Sequence, residues 1–240
     1  MKLIREMSEL FTSSGLISDT SEMDIGKFLE SCGRTCYKSE SKITSVSYKE
    51  FLSKIIKSGH HSILEHASIS SRIITNRNVS LECMRHRIIA VSQESTRYCN
   101  YSSGRFKREL TFIIPSWISD EEIKIIDDNY GKYNIRDYGP AGTWYIALRE
   151  ISNHYFSLLQ LGWTPEKARE VLPGSLATTL IITFNIRMWR HVLAQRLDKK
   201  CHPQMRRLMS LIGQEFLDKL PLFFEDIITQ ELLDDARGVN

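Results

Sequence analysis

Residues 67–87 read Ala67-Ser68-Ile69-Ser70-Ser71-Arg72-Ile73-Ile74-Thr75-Asn76-Arg77-Asn78-Val79-Ser80-Leu81-Glu82-Cys83-Met84-Arg85-His86-Arg87. Ala67, Ile69, Ser71 and Ile73 alternate with polar residues, the two-residue period of a half-buried strand. Asn78 is a residue type that caps helices, so a helix is expected through Val79 to Met84 and on into the basic triplet Arg85-His86-Arg87. A second strand followed by an Asn-capped helix is expected at Leu180 to Phe184, with Asn185 ahead of Arg187, His191 and Arg196.

Working outward, Asp24 to Tyr37 carries Ile25, Phe28, Leu29 and Cys32 on one face and reads as a helix. Tyr48, Phe51, Leu52, Ile55 and Ile56 give another, stopped at Gly59. Leu110 to Pro115 reads as a strand. Ser119 with Glu122 forms a capping box for a helix through Ile126. A long helix is expected from Thr143 to Leu161, a short one after Thr164-Pro165, and an amphipathic one from Met205 to Leu220. Residues 88–108 read as a loop, and residues 127–142 as a surface insertion. Helices and strands mix without a β-α-β rhythm, so the expected class is α+β.

The 240 residues are 42% hydrophobic and 25% charged, which excludes a disordered, collagen-like or simple coiled-coil chain. The net charge of +3 does not call for a nucleic-acid partner. No apolar run approaches the ~18 residues of a membrane span. The opening Met1-Lys2-Leu3-Ile4-Arg5-Glu6 lacks a signal-peptide core, so the expected location is cytoplasmic. Five cysteines, an odd number with no C-x-x-C pair, argue against a disulfide framework and a structural zinc site.

Four clusters can carry chemistry. Arg85-His86-Arg87 is followed after seven residues by Ser95, then Arg97-Tyr98, with Glu94 the local acid. Arg supplies a planar fork for phosphate or carboxylate, and hydroxyls complete such a cradle. His60-His61-Ser62-Ile63-Leu64-Glu65-His66 concentrates His and Glu, but neither H-E-x-x-H nor H-x-x-E-H is present, so no metal is expected. Arg169 stands alone on a short helix. Asn185-Ile186-Arg187-Met188-Trp189-Arg190-His191 and Arg196 place cations near one helical face. Taken one at a time, each cluster also fits a solvated basic surface.

Together and in order, these blocks resemble the flavin-dependent thymidylate synthases. The signature is Arg85-His86-Arg87-x7-Ser95 with Arg97-Tyr98. His60-x-Ser62-x-x-Glu65-His66, Arg34-Thr35-Cys36-Tyr37, Ala168-Arg169-x-Val171-Leu172-Pro173 and His202-Pro203-Gln204-Met205-Arg206 support it. The resemblance spans residues 20–220 and leaves 221–240 as a C-terminal tail beyond a domain at 1–220. It implies an α+β fold with a central, mostly antiparallel sheet flanked by helices, assembled as a homotetramer with sites at subunit interfaces. The implied activity is a methyltransferase reaction: dUMP becomes dTMP, with 5,10-methylenetetrahydrofolate giving the carbon. FAD, reduced by NADPH, gives the hydride.

Carried over by position, Ser62, Arg85, His86 and Arg87 match flavin contacts, as do Asn185, Ile186, Arg187 and His191. Ser95, Thr96 and Arg97 match the dUMP phosphate site, with Arg169 as its second Arg. Arg85, Glu82 and Glu94 match further nucleotide positions, and Gln93 matches positions contacting nucleotide and flavin. Arg196 matches the Arg at the uracil ring and is the catalytic residue, stabilising charge on the ring as C5 becomes nucleophilic. Ser95 is a phosphate ligand and no Cys is a nucleophile. Glu82 stands where many members have Gln, and Ser92-Gln93 where many have Asn-Glu. The alternatives are a basic nucleic-acid-binding module using Arg85, Arg87, Arg97, Arg187 and Arg190, and a zinc hydrolase on the His60–His66 cluster.

Overall fold

The computed structural model describes residues 1–12, 15–16, 21–131 and 139–238. Residues 132–138 of the expected surface insertion lie outside them. The chain forms two compact units. Met1–Glu6, Ile74–Cys83 and Gln93–Thr179 make the first; Met7–Ile73, Met84–Ser92 and Leu180–Asn240 make the second.

In the first unit, β1 (Lys2–Ile4) pairs in parallel with β6 (Thr111–Ile113), Lys2 opposite Thr111 and Ile4 opposite Ile113. Helix α5 (Gly139–Gln160) buries Tyr145, Leu148, Ser152 and Tyr155, a 3-4-3 spacing that keeps one stripe inward. Leu148 and Tyr155 pack with Tyr101, Leu110, Phe112 and Leu176. Tyr145 packs with Ile114, Ile118 and Ile126. The expected capping box is present: Ser119 and Glu122 exchange hydrogen bonds at the start of α4 (Asp120–Asn129). Arg5 fastens the end of β1 to this corner, donating to the carbonyls of Pro115 (2.9 Å) and Ile118 (2.7 Å) and to Asp120 (2.6 Å).

A five-stranded sheet runs in the order β3-β2-β4-β7-β5. Its strands are β2 (Met7–Thr12), β3 (Gly15–Leu16), β4 (Ser68–Asn76), β5 (Ala90–Gln93) and β7 (Ala177–Asn185). β4 buries Ile69, Ser71, Ile73 and Thr75, and β7 buries Thr178, Leu180, Ile182 and Phe184. Each ends at an Asn that caps the next helix. Asn76 Oδ1 accepts from Val79 N at 2.8 Å, and Asn185 Oδ1 from Met188 N at 2.8 Å. Thus α3 (Arg77–Met84) and α7 (Ile186–Arg196) each follow their strand through the same kind of Asn cap. The cap is Asn76, not Asn78 as expected from sequence. Asn78 instead packs on Gly174, where an added Cβ would stand 2.1 Å from Asn78 Oδ1.

Four strands, β1, β2, β3 and β5, escape sequence reading. In β2 Leu10 is the one fully buried apolar side chain among Met7–Phe11, so no alternation is written. In β5, expected as loop, no residue is fully buried, as befits a short strand at a sheet edge.

The core of the second unit centres on Trp189 of α7. Its Nε1 donates to the Ile69 carbonyl at 2.8 Å, and its ring meets Phe184 and Phe216 edge-on or tilted. Phe216 lies on α8 (Pro203–Lys219) and stacks on Phe224 at 4.1 Å. From α8, Glu215 accepts from Ser8 Oγ (2.5 Å) and Leu10 N (2.9 Å), holding β2. Helices α1 (Glu22–Thr35) and α2 (Ser47–Lys57) approach closely because Gly26 has no side chain; a Cβ there would lie 2.3 Å from the Tyr48 ring. Residues beyond 220 continue this core. Phe223 and Phe224 of α9 (Pro221–Phe224) and Leu233 of α10 (Gln230–Arg237) are fully buried, and Arg206 holds Asp235 at 2.7 Å.

Candidate functional site

The second unit gathers the flavin-matched residues. The turn His61–His66 ends where the Ala67 carbonyl accepts from Ile186 N at 2.9 Å. This places exposed Ser62 on the same corner as the start of α7. Glu65 of the turn pairs with Arg187. Asn185 spends its Oδ1 on the cap. Ile186 is fully buried, its N–H donates to the Ala67 carbonyl, and as the first residue of α7 its own carbonyl is an acceptor within the helix. Arg85 and Arg87 are exposed and have neither a hydrogen bond nor an ion pair among the described residues. After them Ile88 holds a left-handed backbone (φ 59°) while 89% exposed. That conformation costs a β-branched residue on the order of 1–3 kcal/mol, and it turns the chain into β5.

His86 differs from its neighbours, being buried with 7% exposure. Its ring stands at 90° to Phe184, centroids 6.3 Å apart. Arg196 Nε donates to His86 Nε2 at 2.9 Å, closing a contact across 110 residues. Burial, then the positive charges of Arg196 and His191, hold His86 down at a pKa of about 4. Arg196 Nη1 also faces Cys201 Sγ at 3.9 Å. It lines a cavity of about 340 Å³ with Gln195, Asp198, Lys200 and Cys201. His191 is exposed on the same helix.

The first unit gathers the phosphate-matched residues. Gln93 Nε2 donates to Ser80 Oγ (2.9 Å) and Thr178 Oγ1 (3.2 Å), which fixes its carboxamide against α3 and β7. Glu94 accepts from Tyr101 OH at 2.6 Å; burial and this bond push the Tyr101 phenol well above its ordinary value. Ser95 opens a tight turn, with Cys99 N donating to its carbonyl (2.9 Å) and Arg97 N to its hydroxyl (3.2 Å). Thr96 is buried, and Glu82 is partly buried at the end of α3. Arg97 is half-exposed and bonds Glu166 at 2.7 Å. Glu166 belongs to α6 (Pro165–Ala168), and Arg169 follows three residues later, 3.8 Å from Glu170. Two Arg forks and the Ser95 hydroxyl on adjoining segments are a donor set suited to a phosphate dianion.

Sequence reading missed the residues that hold these groups: Ser80 and Thr178 for Gln93, Tyr101 for Glu94, and Glu166 for Arg97. Only Glu166 left a signal, in Thr164-Pro165-Glu166 ahead of Arg169. The structure also corrects the basic-surface reading. Arg190 is 6% exposed and bidentate to Asp226 (2.6 Å each), with a further bond to the Phe223 carbonyl. Arg187 and Arg97 face acids as well, so the basic stripe is interrupted by carboxylates. In the His60–His66 cluster Glu65 is committed to Arg187, and no three His, Cys, Asp or Glu among the described residues converge on a metal position. Burial and the Glu94 charge raise the Cys99 thiol, and Cys83 is 1% exposed, the opposite of an activated nucleophile. No helix among the described residues is long and apolar enough to cross a membrane.

Among proteins of known kind, flavin-dependent thymidylate synthases are similar along most of the chain. That of Mycobacterium avium is 30% identical over 212 residues, covering 86% of this chain and 81% of its own. That of Mycobacterium tuberculosis is 30% identical over 223 residues, covering 90% and 85%. The crystal structure of the UMP/dUMP methylase PolB from Streptomyces cacaoi, bound with 5-Br dUMP, shares the fold. Its TM-score is 0.68 at 22% identity, over 94% of this chain and 96% of that one. Residues 16–222 match the thymidylate synthase complementing protein family, and the chain belongs to that family.

Proposed function

We propose that this chain is a flavin-dependent thymidylate synthase, a methyltransferase converting dUMP to dTMP. The carbon comes from 5,10-methylenetetrahydrofolate and the reducing equivalents from NADPH through FAD. One observation carries the reading: His86 of the signature and Arg196, 110 residues apart, meet at 2.9 Å. Two family blocks that share no local structure thus build one site.

The donor set suits FAD. Arg85 and Arg87 are exposed cations without acids, which a flavin diphosphate would satisfy, and Ser62, Asn185, Arg187 and His191 would border it. When bound, the flavin supplies the hydride that the methylene group needs to become a methyl group. The remaining work falls to the chain. Ser95, Arg97 and Arg169 hold the dUMP phosphate, and Glu166 yields Arg97 to it. Gln93, fixed from two sides, presents its carbonyl oxygen, and Glu82 and Glu94 border the nucleotide. Arg196 faces the uracil ring, where negative charge grows on the ring oxygens and N3 as C5 turns nucleophilic; a fixed guanidinium lowers that barrier. No cysteine adds to the ring. The exposed Ile88 (89%) and Tyr98 (78%) of the signature support a homotetramer that covers them; light scattering tests it.

The test is tritium release from dUMP labelled at C5, with FAD, NADPH and methylenetetrahydrofolate supplied. Release that needs flavin and reductant is expected. No release from folded, flavin-loaded protein overturns the reading.

A further inference from the structure

We infer that His86 is a positioning residue: its unprotonated Nε2 anchors the Nε edge of Arg196, aiming that guanidinium for the uracil ring. The inference rests on the role proposed for Arg196. It adds a second function to a residue matched so far only to flavin contact.

A guanidinium offers N–H donors and no acceptor. At 2.9 Å from Arg196 Nε, His86 Nε2 therefore accepts, and the ring proton sits on Nδ1. A long Arg side chain has several rotamers, so a single fixed partner at Nε restricts where the Nη groups point. The partner is itself fixed. His86 is 7% exposed and stands edge-on to Phe184 of β7. The groups acting on it are Arg196 and His191 of α7, with Arg85 and Arg87 beside it in the chain. All are basic, and Arg196 and His191 oppose a second proton on the ring, as burial does. His86 accordingly stays an acceptor throughout the neutral range. A protonated ring would face Arg196 as a like charge and donate where it must accept.

The test pairs spectroscopy with kinetics. In 15N-histidine NMR of the folded protein without ligands, His86 is expected as the Nδ1–H tautomer at pH 7. His86→Phe keeps the ring packing and deletes the acceptor. Turnover (kcat), compared on flavin-saturated protein, should fall roughly ten- to a hundred-fold, the size of one lost hydrogen bond to a charged group, with the KM for dUMP little changed. His86→Gln, which can place an amide oxygen near Nε2, should recover most of the loss. In an Arg196→Lys background, which keeps the charge and lacks Nε, adding His86→Phe should cost less than about twofold further. An Nε2–H tautomer overturns the inference whatever the turnover. So does full kcat in His86→Phe, or an equal loss in the Lys background. Retained turnover in Arg196→Ala overturns instead the role of Arg196 in the proposed reaction.

Discussion

The buried His86 should make folding stability depend on pH in a way that one substitution removes. Its pKa is about 4 in the folded protein against 6.5 for the free side chain. The unfolded chain thus takes up a proton between pH 6.5 and 4 that the folded chain refuses. Stability from this group is complete above pH 6.5 and falls as pH drops toward 4. The whole shift is worth about 3 kcal/mol, of which about 2 kcal/mol is lost between pH 7 and pH 5. That is a large fraction of a typical 5–15 kcal/mol. The perturbation is His86→Phe, which fills the same space against Phe184 and cannot titrate. Urea unfolding followed by tryptophan fluorescence, at one fixed protein concentration and at pH 5, 6 and 7, gives the stability of each variant. The absolute values will differ because the Arg196 bond is lost. The informative quantity is the slope: wild type should lose about 2 kcal/mol more than His86→Phe from pH 7 to pH 5. Arg196→Ala should fall between them, since it removes one cation and leaves the burial. Equal slopes in wild type and His86→Phe would refute the placement of His86 as a buried neutral ring.

Three further outcomes are expected. Glu166→Gln frees Arg97 from a half-exposed ion pair worth at most about 1 kcal/mol, so the Kd for dUMP should tighten roughly two- to fivefold by calorimetry; weaker binding would show Glu166 to be a substrate contact instead. Cys83→Ala and Cys99→Ala should keep tritium release from dUMP, and complete loss in a folded variant would reopen a thiolate mechanism. Gly26→Ala sets a methyl group 2.3 Å from the Tyr48 ring and should destabilise by about 1–3 kcal/mol; an unchanged melting temperature would mean that α1 and α2 separate freely.

Local rules carried the sequence reading where the partners are neighbours in the chain. Ser119 and Glu122 are three residues apart, and Asn185 caps a helix three residues on, so both bonds are written in the spacing. β4 was legible from its alternation and β7 from its run Leu180 to Phe184; both strands are central in the sheet and bury every second residue. Pattern reading failed where burial is thin, in β2 with one fully buried apolar side chain and in the edge strand β5. It also misplaced one cap, because Asn76 and Asn78 are equally suitable by type and only the strand end chooses Asn76. The site divided in the same way. The blocks around Arg85, Ser95, Arg169 and Asn185 were recognisable as residue types in order, while their partners were not.

The sequence by itself determined the mixed class, most helices, and the family-specific order of basic and hydroxyl residues, since these depend on spacing and side-chain chemistry within a few turns of chain. Only the tertiary structure decided which of the like-charged arginines does what. Arg190 is sealed by Asp226, Arg97 is held by Glu166, Arg85 and Arg87 have no partner among the described residues, and Arg196 is fixed by a neutral histidine 110 residues away. Identical guanidinium groups acquire different roles from burial and from the partner each meets, and both are set by packing between distant segments.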